Sequence, residues 1–205
     1  MARHERGMGK MIKRNFYILS GAMGGGKSTV LATLSDFGHP CIPEPARAIL
    51  AEQRRINAPG VPEKNADLFS MLMLSRAMHN YEEHRSMTGP IVFDRGIPDM
   101  IAYARLFTLD ETPYANAAKE FRYHPTVFFF PAWEEIYTTD AERKMNFAAA
   151  QAFGAVVQSI YTALGYQILE VPRFSLEERV HFILDRISSS KVSDRGREET
   201  GRSWP

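Results

Sequence analysis

Residues 15–28, Asn15-Phe16-Tyr17-Ile18-Leu19-Ser20-Gly21-Ala22-Met23-Gly24-Gly25-Gly26-Lys27-Ser28, run a short apolar segment straight into a glycine-rich turn that ends in Lys-Ser. The apolar segment does not alternate with polar residues, as expected for a strand covered on both faces. The turn matches G-x-x-x-x-G-K-[ST] in full. Its glycines let the backbone take positive φ and turn N–H groups inward around an anion. A helix starting near Lys27 would point its positive end at the same anion. In this arrangement Lys27 is expected to bridge the β- and γ-phosphates of ATP, and the Ser28 hydroxyl to ligate Mg²⁺. The expected nucleotide-binding residues are therefore Gly21, Ala22, Met23, Gly24, Gly25, Gly26, Lys27, Ser28 and Thr29. A glycine-rich turn that contains Lys-Ser by chance is the alternative, and the strand before it and helix after it argue against that. No Asn-Lys-x-Asp base-recognition pattern occurs, which favours ATP over GTP.

Outward from this turn, short apolar runs alternate with amphipathic stretches, the pattern of βαβ units and a parallel sheet. Helix is expected over 27–37, with Leu31, Leu34 and Phe37 on one face and Gly38 as its stop. A short strand at 40–42 delivers Glu44, and a second helix spans 45–56. A long helix over 65–86 should turn Leu68, Met71, Leu72 and Met78 inward. The run Ile91-Val92-Phe93 is a buried strand ending at Asp94. Helices near 98–107 and 114–121 precede a fourth strand at 126–130. A charge-dense stretch over 131–145 leads to a helix ending at Leu164-Gly165. A fifth strand spans 166–171, and Ser175 caps a last helix to about Ile187. Five strands joined by right-handed crossovers give an α/β, three-layer sandwich.

The chain has 205 residues, 44% of them apolar, which suits one α/β domain with a sizeable core. Its 25 Lys and Arg nearly balance 24 Asp and Glu, so a nucleic-acid-binding surface is not expected. Residues 1–14 read as a solvated basic leader and 188–205 as a polar, disordered tail. Cys41 is the sole cysteine, which excludes an intrachain disulfide and a cysteine-based metal site. No run has the length of a membrane helix, and no signal peptide is evident, so a cytoplasmic protein without a membrane partner is expected. The oligomeric state stays open, a homodimer included. His124 and His181 are expected to be structural, and the methionines over 71–78 to belong to the core.

In open α/β sheets ligands sit beyond the carboxyl ends of the strands. Glu44, after the second strand, and Asp94, after the third, occupy such places. Glu44 lies between Pro43 and Pro45 at a stiff corner, which suits a base accepting a proton from a substrate hydroxyl. Its alternative role is a first-turn acid favouring the helix dipole. Asp94 is expected to hold Mg²⁺ and Arg95 to supply positive charge to phosphate or substrate; the alternative for Asp94 is a helix cap. Arg47, one turn beyond Glu44, would pair with it or with substrate. The stretch over 133–144 sits where a lid would close, and Arg143 with Lys144 would bring charge to the transition state. An ordinary solvated helix start is the alternative there.

The blocks Pro43-Glu44-Pro45-Ala46-Arg47, Phe93-Asp94-Arg95-Gly96-Ile97-Pro98-Asp99, Trp133-Glu134-Glu135-Ile136-Tyr137, Asp140-Ala141-Glu142-Arg143 and Val171-Pro172-Arg173 follow the glycine-rich loop in order. Together they resemble the NadR-like AAA-domain group of P-loop proteins over about 15–187, and the carboxylate positions resemble deoxynucleoside kinases. The resemblance implies the nucleotide-kinase type of P-loop fold, with strand order 2-3-1-4-5. It implies Glu44 as base, Asp94 and Arg95 serving metal and phosphates, Arg143 in the lid, and Pro172-Arg173 near the adenine. Two functions follow from these residues. One is a kinase passing the γ-phosphate of MgATP to a nucleoside-like or other small hydroxyl compound; the other is a nucleotide-dependent switch or slow ATPase acting through a protein partner.

Overall fold

The computed structural model describes residues 12–138 and 145–200, with side chains as far as Ser189. Five strands, β1 (Phe16–Gly21), β2 (Cys41–Ile42), β3 (Ile91–Asp94), β4 (Thr126–Phe130) and β5 (Gln167–Glu170), form one sheet in the order β2-β3-β1-β4-β5. All pairings are parallel, with Leu19 beside Asp94 and Gly21 beside Phe130. The strand order is that of the nucleotide-kinase type of P-loop fold.

Both faces of the sheet are covered. Tyr17, Leu19, Val92, Phe128 and Phe130 turn to one face, where α1 (Lys27–Asp36) and α7 (Leu176–Thr200) supply Val30, Leu34, Val180 and Ile183. Phe16, Ile18, Ile91, Phe93, Val127 and Phe129 turn to the other, beneath α2 (Pro45–Arg55), α3 (Pro62–Glu83), α4 (Ile97–Leu106), α5 (Thr112–Glu120) and α6 (Phe147–Ala163). This two-sided burial is why the strands read as unbroken apolar runs. Phe16 packs against Tyr81, Phe93 and Tyr123 with ring centroids 4.9, 5.0 and 6.5 Å away. Each such side chain contributes about 1.5–3 kcal/mol when fully buried.

The helices fall close to their expected places, with three differences. First, α3 starts at Pro62, but Asn65 interrupts it (φ −155°, ψ 91°) and caps the main segment by accepting the Leu68 N–H at 2.9 Å. The inward face is Phe69, Met73, Leu74 and Tyr81; Leu68, Leu72 and Met78 are half-buried, and Met71 is 42% exposed. The helix packs between α2 and α4, so its apolar arc is wide and its centre is shifted from the expected one. Second, Ile12 bridges Arg122, and Lys13 donates its backbone N–H to the Arg122 carbonyl, so the end of the expected leader is tied to the fold. Third, α7 continues past Ile187 to Thr200. Ser175 does cap α7: its Oγ accepts the Glu178 N–H, and Glu178 accepts the Ser175 N–H in return. Among the described residues no helix is long and apolar enough to cross a membrane.

Candidate functional site

The carboxyl ends of β1, β2 and β3 open into one cavity of about 580 Å³. Its size is that of a small-molecule site. Gly24, Gly26, Lys27, Ser28 and Thr29 line it from one side and Glu44, Asp94 and Arg95 from another. Leu50, Phe69 and Phe107 add an apolar wall from α2, α3 and the end of α4.

The loop has the backbone that its glycines foretell. Gly21, Gly24 and Gly26 take φ of 128°, 77° and 83°, and Gly26 stands at the N-cap of α1 without a side-chain cap. The first N–H groups of α1 thus face the cavity as anion donors. Ser28 and Thr29 are exposed to it. Lys27 is buried and donates to the carbonyl of Ala22 at 2.6 Å. Burial and the nearby Arg95 push its ammonium down to about 8, against the pull of Asp94, Glu44 and Asp99.

Arg95 organises the opposite wall. It takes a left-handed backbone (φ 64°), an uncommon state for a residue with a side chain, and its N–H donates to the Leu19 carbonyl at 2.9 Å. Its Nη1 donates to Gly21 O at 3.1 Å and to Asp99 Oδ1 at 2.9 Å. Its Nε lies 3.1 Å from Glu44 Oε1, an ion-pair contact whose angle is poor for a hydrogen bond. Burial alone would lower its pKa, but Tyr103, Glu44, Asp99 and Asp94 hold it well above the ordinary value.

Asp99 is fully buried and accepts four donors: Ser20 Oγ at 2.6 Å, Arg95 Nη1, Gly96 N–H at 2.9 Å and Tyr161 Oη at 2.5 Å. Because Asp99 serves the Gly96 N-cap of α4, Asp94 is not the cap. Instead Asp94 Oδ1 is buried with no partner, and burial plus the charge of Glu44 push its carboxyl up to about 6. An orphaned carboxylate oxygen and the exposed Ser28 hydroxyl lining one cavity fit a Mg²⁺ ion that takes its other oxygens from phosphate and water.

Glu44 stands at the N-cap of α2 but makes no cap bond there. Tyr103 donates to its Oε1 at 2.7 Å, and Arg95 approaches the same oxygen. Burial, with the neighbouring Glu44, keeps the Tyr103 hydroxyl protonated by raising its pKa well above the usual value. Both contacts fall on Oε1, so Oε2 is uncommitted among the described residues.

Arg47 lines the cavity. Arg173 does not: its Nη2 donates to the Ala132 carbonyl at 2.9 Å, tying the chain after β5 to the chain after β4. Arg143 and Lys144 lie outside the described residues, but Ile136, Thr138 and Met145 on either side of that segment line the cavity. His124 is structural, stacked on Tyr17 with centroids 4.4 Å apart, and its Nδ1 accepts the Thr126 N–H. Sequence reasoning assigned no role to Ser20, Tyr103, Tyr161, Asp99 or Arg179. Only Asp99 carried a signal, four residues after Arg95 at a helix start.

The chain matches the family model of the AAA domain over residues 16–179. No curated protein matches it in sequence. Among solved structures it is similar to NadR protein in complex with NR, with a TM-score of 0.67 and 16% identity, covering 87% of this chain and 51% of that one. It is also similar to deoxyadenosine kinase from M. mycoides with dCMP and dCDP bound (TM-score 0.62, 15% identity, 85% and 98% covered). A third is thymidylate kinase from Candida albicans (TM-score 0.56, 17% identity, 87% and 93% covered). The chain thus spans about half of NadR and nearly all of the other two. With the phosphate loop, the strand order and the family match over most of its length, the chain belongs to the AAA-domain family of P-loop proteins and has the nucleotide-kinase type of fold.

Proposed function

We propose that the protein is an ATP-dependent kinase that phosphorylates a hydroxyl of a nucleoside-like small molecule. The observation that carries this reading is the seating of Glu44. Its carboxylate is fixed through one oxygen, faces the cavity that holds Lys27, and adjoins the apolar wall of Leu50, Phe69 and Phe107. A wall of that kind suits a flat, weakly polar base, while Glu44 Oε2 takes the hydroxyl proton.

In the reaction the acceptor oxygen bonds to the γ-phosphorus, the bond from that phosphorus to the β,γ-bridging oxygen breaks, and ADP leaves. Glu44 accepts the acceptor proton. Lys27 leaves the Ala22 carbonyl for the β- and γ-phosphate oxygens, and Arg95, held by Asp99, keeps positive charge beside the transferred group. Ser28 and Asp94 would hold Mg²⁺, which neutralises charge on the phosphates when bound. The solved relatives with kinase names are consistent with this chemistry.

The test is ADP release from MgATP with water alone, then with nucleosides, nicotinamide riboside and other small alcohols. A rate increase with one compound, lost in Glu44→Gln, is the expected result. Tight nucleotide binding with no acceptor-stimulated turnover across the panel would overturn the kinase reading and favour a switch or slow ATPase.

A further inference from the structure

A second arginine meets the phosphate loop from a part of the fold that the proposed chemistry does not use. Arg179, one turn into α7, is only 7% exposed and lines the cavity. Its Nη1 is buried and has no hydrogen-bond partner among the described residues. It faces Gly26 so closely that a Cβ built there would stand 2.5 Å from Nη1, with Ile136 Cδ1 3.2 Å away on the same spot. The guanidinium carbon lies 5.2 Å from the centroid of the Trp133 ring, and Nε reaches the Ser175 carbonyl at 3.4 Å.

A buried guanidinium nitrogen without an acceptor is costly, and no carboxylate stands within ion-pair range of Arg179 among the described residues. An anionic ligand in the cavity would supply the missing acceptor. The ligand is an anion, because Gly26, which Arg179 faces, is the N-cap of α1 and has no side-chain cap. Arg95 reaches the loop at its first glycine, Gly21, and is neutralised by Glu44 and Asp99; Arg179 reaches it at its last, Gly26, with its charge uncompensated. Trp133 holds the guanidinium plane in advance of binding.

We infer that Arg179 is a ligand for the phosphates of the bound nucleotide that are not transferred, so that nucleoside di- and triphosphates are gripped between the first turn of α1 and the first turn of α7. The inference rests on the nucleotide-binding reading of the loop and adds a residue to it. It also gives Gly26 a second role, since any side chain there would displace the Arg179 head group.

Calorimetric titration of the full-length protein with MgATP, ADP and inorganic tripolyphosphate tests this, in wild type, Arg179→Met and Arg179→Lys. In Arg179→Met all three should bind roughly 10- to 100-fold more weakly, as expected for loss of a charged hydrogen-bonding partner. Arg179→Lys should recover part of the loss. The thermal midpoint of the ligand-free Arg179→Met protein should match or exceed wild type, because an unpaired buried charge has gone, while its rise on adding ADP shrinks. Unchanged ADP affinity in Arg179→Met, with wild type binding normally, would overturn the inference alone. Weaker ADP but unchanged tripolyphosphate would assign Arg179 to the base and overturn the phosphate role. A wild-type protein that binds none of the three would overturn the loop's nucleotide reading as well.

Discussion

Arg95 Nη1 and Asp99 Oδ1 meet at 2.9 Å where their side chains are 3% and 0% exposed. The pair is one turn apart on the chain, yet it seats a left-handed Arg95 against both Glu44 and the carbonyl of Gly21. Breaking a buried pair by removing one charge costs about 3–5 kcal/mol. Asp99→Asn keeps the shape but removes the charge and turns an amide N–H₂ toward two of the four donors, so unfolding in urea should show a loss of about 3 kcal/mol. Ser20→Ala removes only one of the donors and should cost about 1 kcal/mol. A loss in Asp99→Asn no greater than that in Ser20→Ala would mean that this network does not seat Arg95.

The α3 face can be tested by a matched pair of methionines. Met73 is fully buried and Met71 is 42% exposed. Met73→Ala should destabilise by about 2–5 kcal/mol, and Met71→Ala by less than about 0.5 kcal/mol. Equal losses in a denaturant titration would restore the sequence-based phase of this helix.

Sequence made the sheet and the loop legible because both rest on short-range rules. An unbroken apolar run, a glycine turn with Lys-Ser and a strand-ending acid each state their position without reference to the rest of the chain. The Glu44 and Asp94 placements followed from where strands end. Tyr103, Tyr161 and Arg179 were not legible, because α4, α6 and α7 bring them to the site and nothing local marks them. The face of α3 was misjudged for a related reason: two helices flank it, so more than one stripe is apolar and periodicity alone does not find the centre.

Lys27 gives a pH dependence with a definite sign. Its pKa is about 8 when folded, against 10.5 for an unperturbed lysine, so the unfolded chain binds more protons between these values. Its burial therefore opposes folding fully below pH 8, and stability rises as pH climbs from 8 toward 10.5. The gap is worth about 3 kcal/mol. The buried tyrosines are raised above their ordinary value in the fold and titrate near the upper end of this range only when unfolded, so the effect is read as the difference between wild type and Lys27→Met in denaturation at pH 7.5 and 10. Lys27→Met should be the more stable at pH 7.5 and lose most of that advantage by pH 10. A pH-independent difference would mean that Lys27 keeps an ordinary pKa.

Glu44 and Tyr103 separate a proton acceptor from its holder. Glu44→Gln retains the bond from Tyr103 and most of the shape, but cannot take a proton. With an acceptor found by the ADP-release assay, its kcat should fall roughly 100-fold or more, the usual worth of general base catalysis. MgATP affinity by calorimetry should change little, because Glu44 faces the acceptor side. Tyr103→Phe removes one of the two contacts on Oε1 and leaves the carboxylate able to ionise. Its kcat should fall less, about tenfold, and its effect should vanish in the Glu44→Gln background, since it acts through that carboxylate. Additive losses in the double variant would show that Tyr103 touches the acceptor itself, and full turnover in Glu44→Gln would remove Glu44 from the role of base.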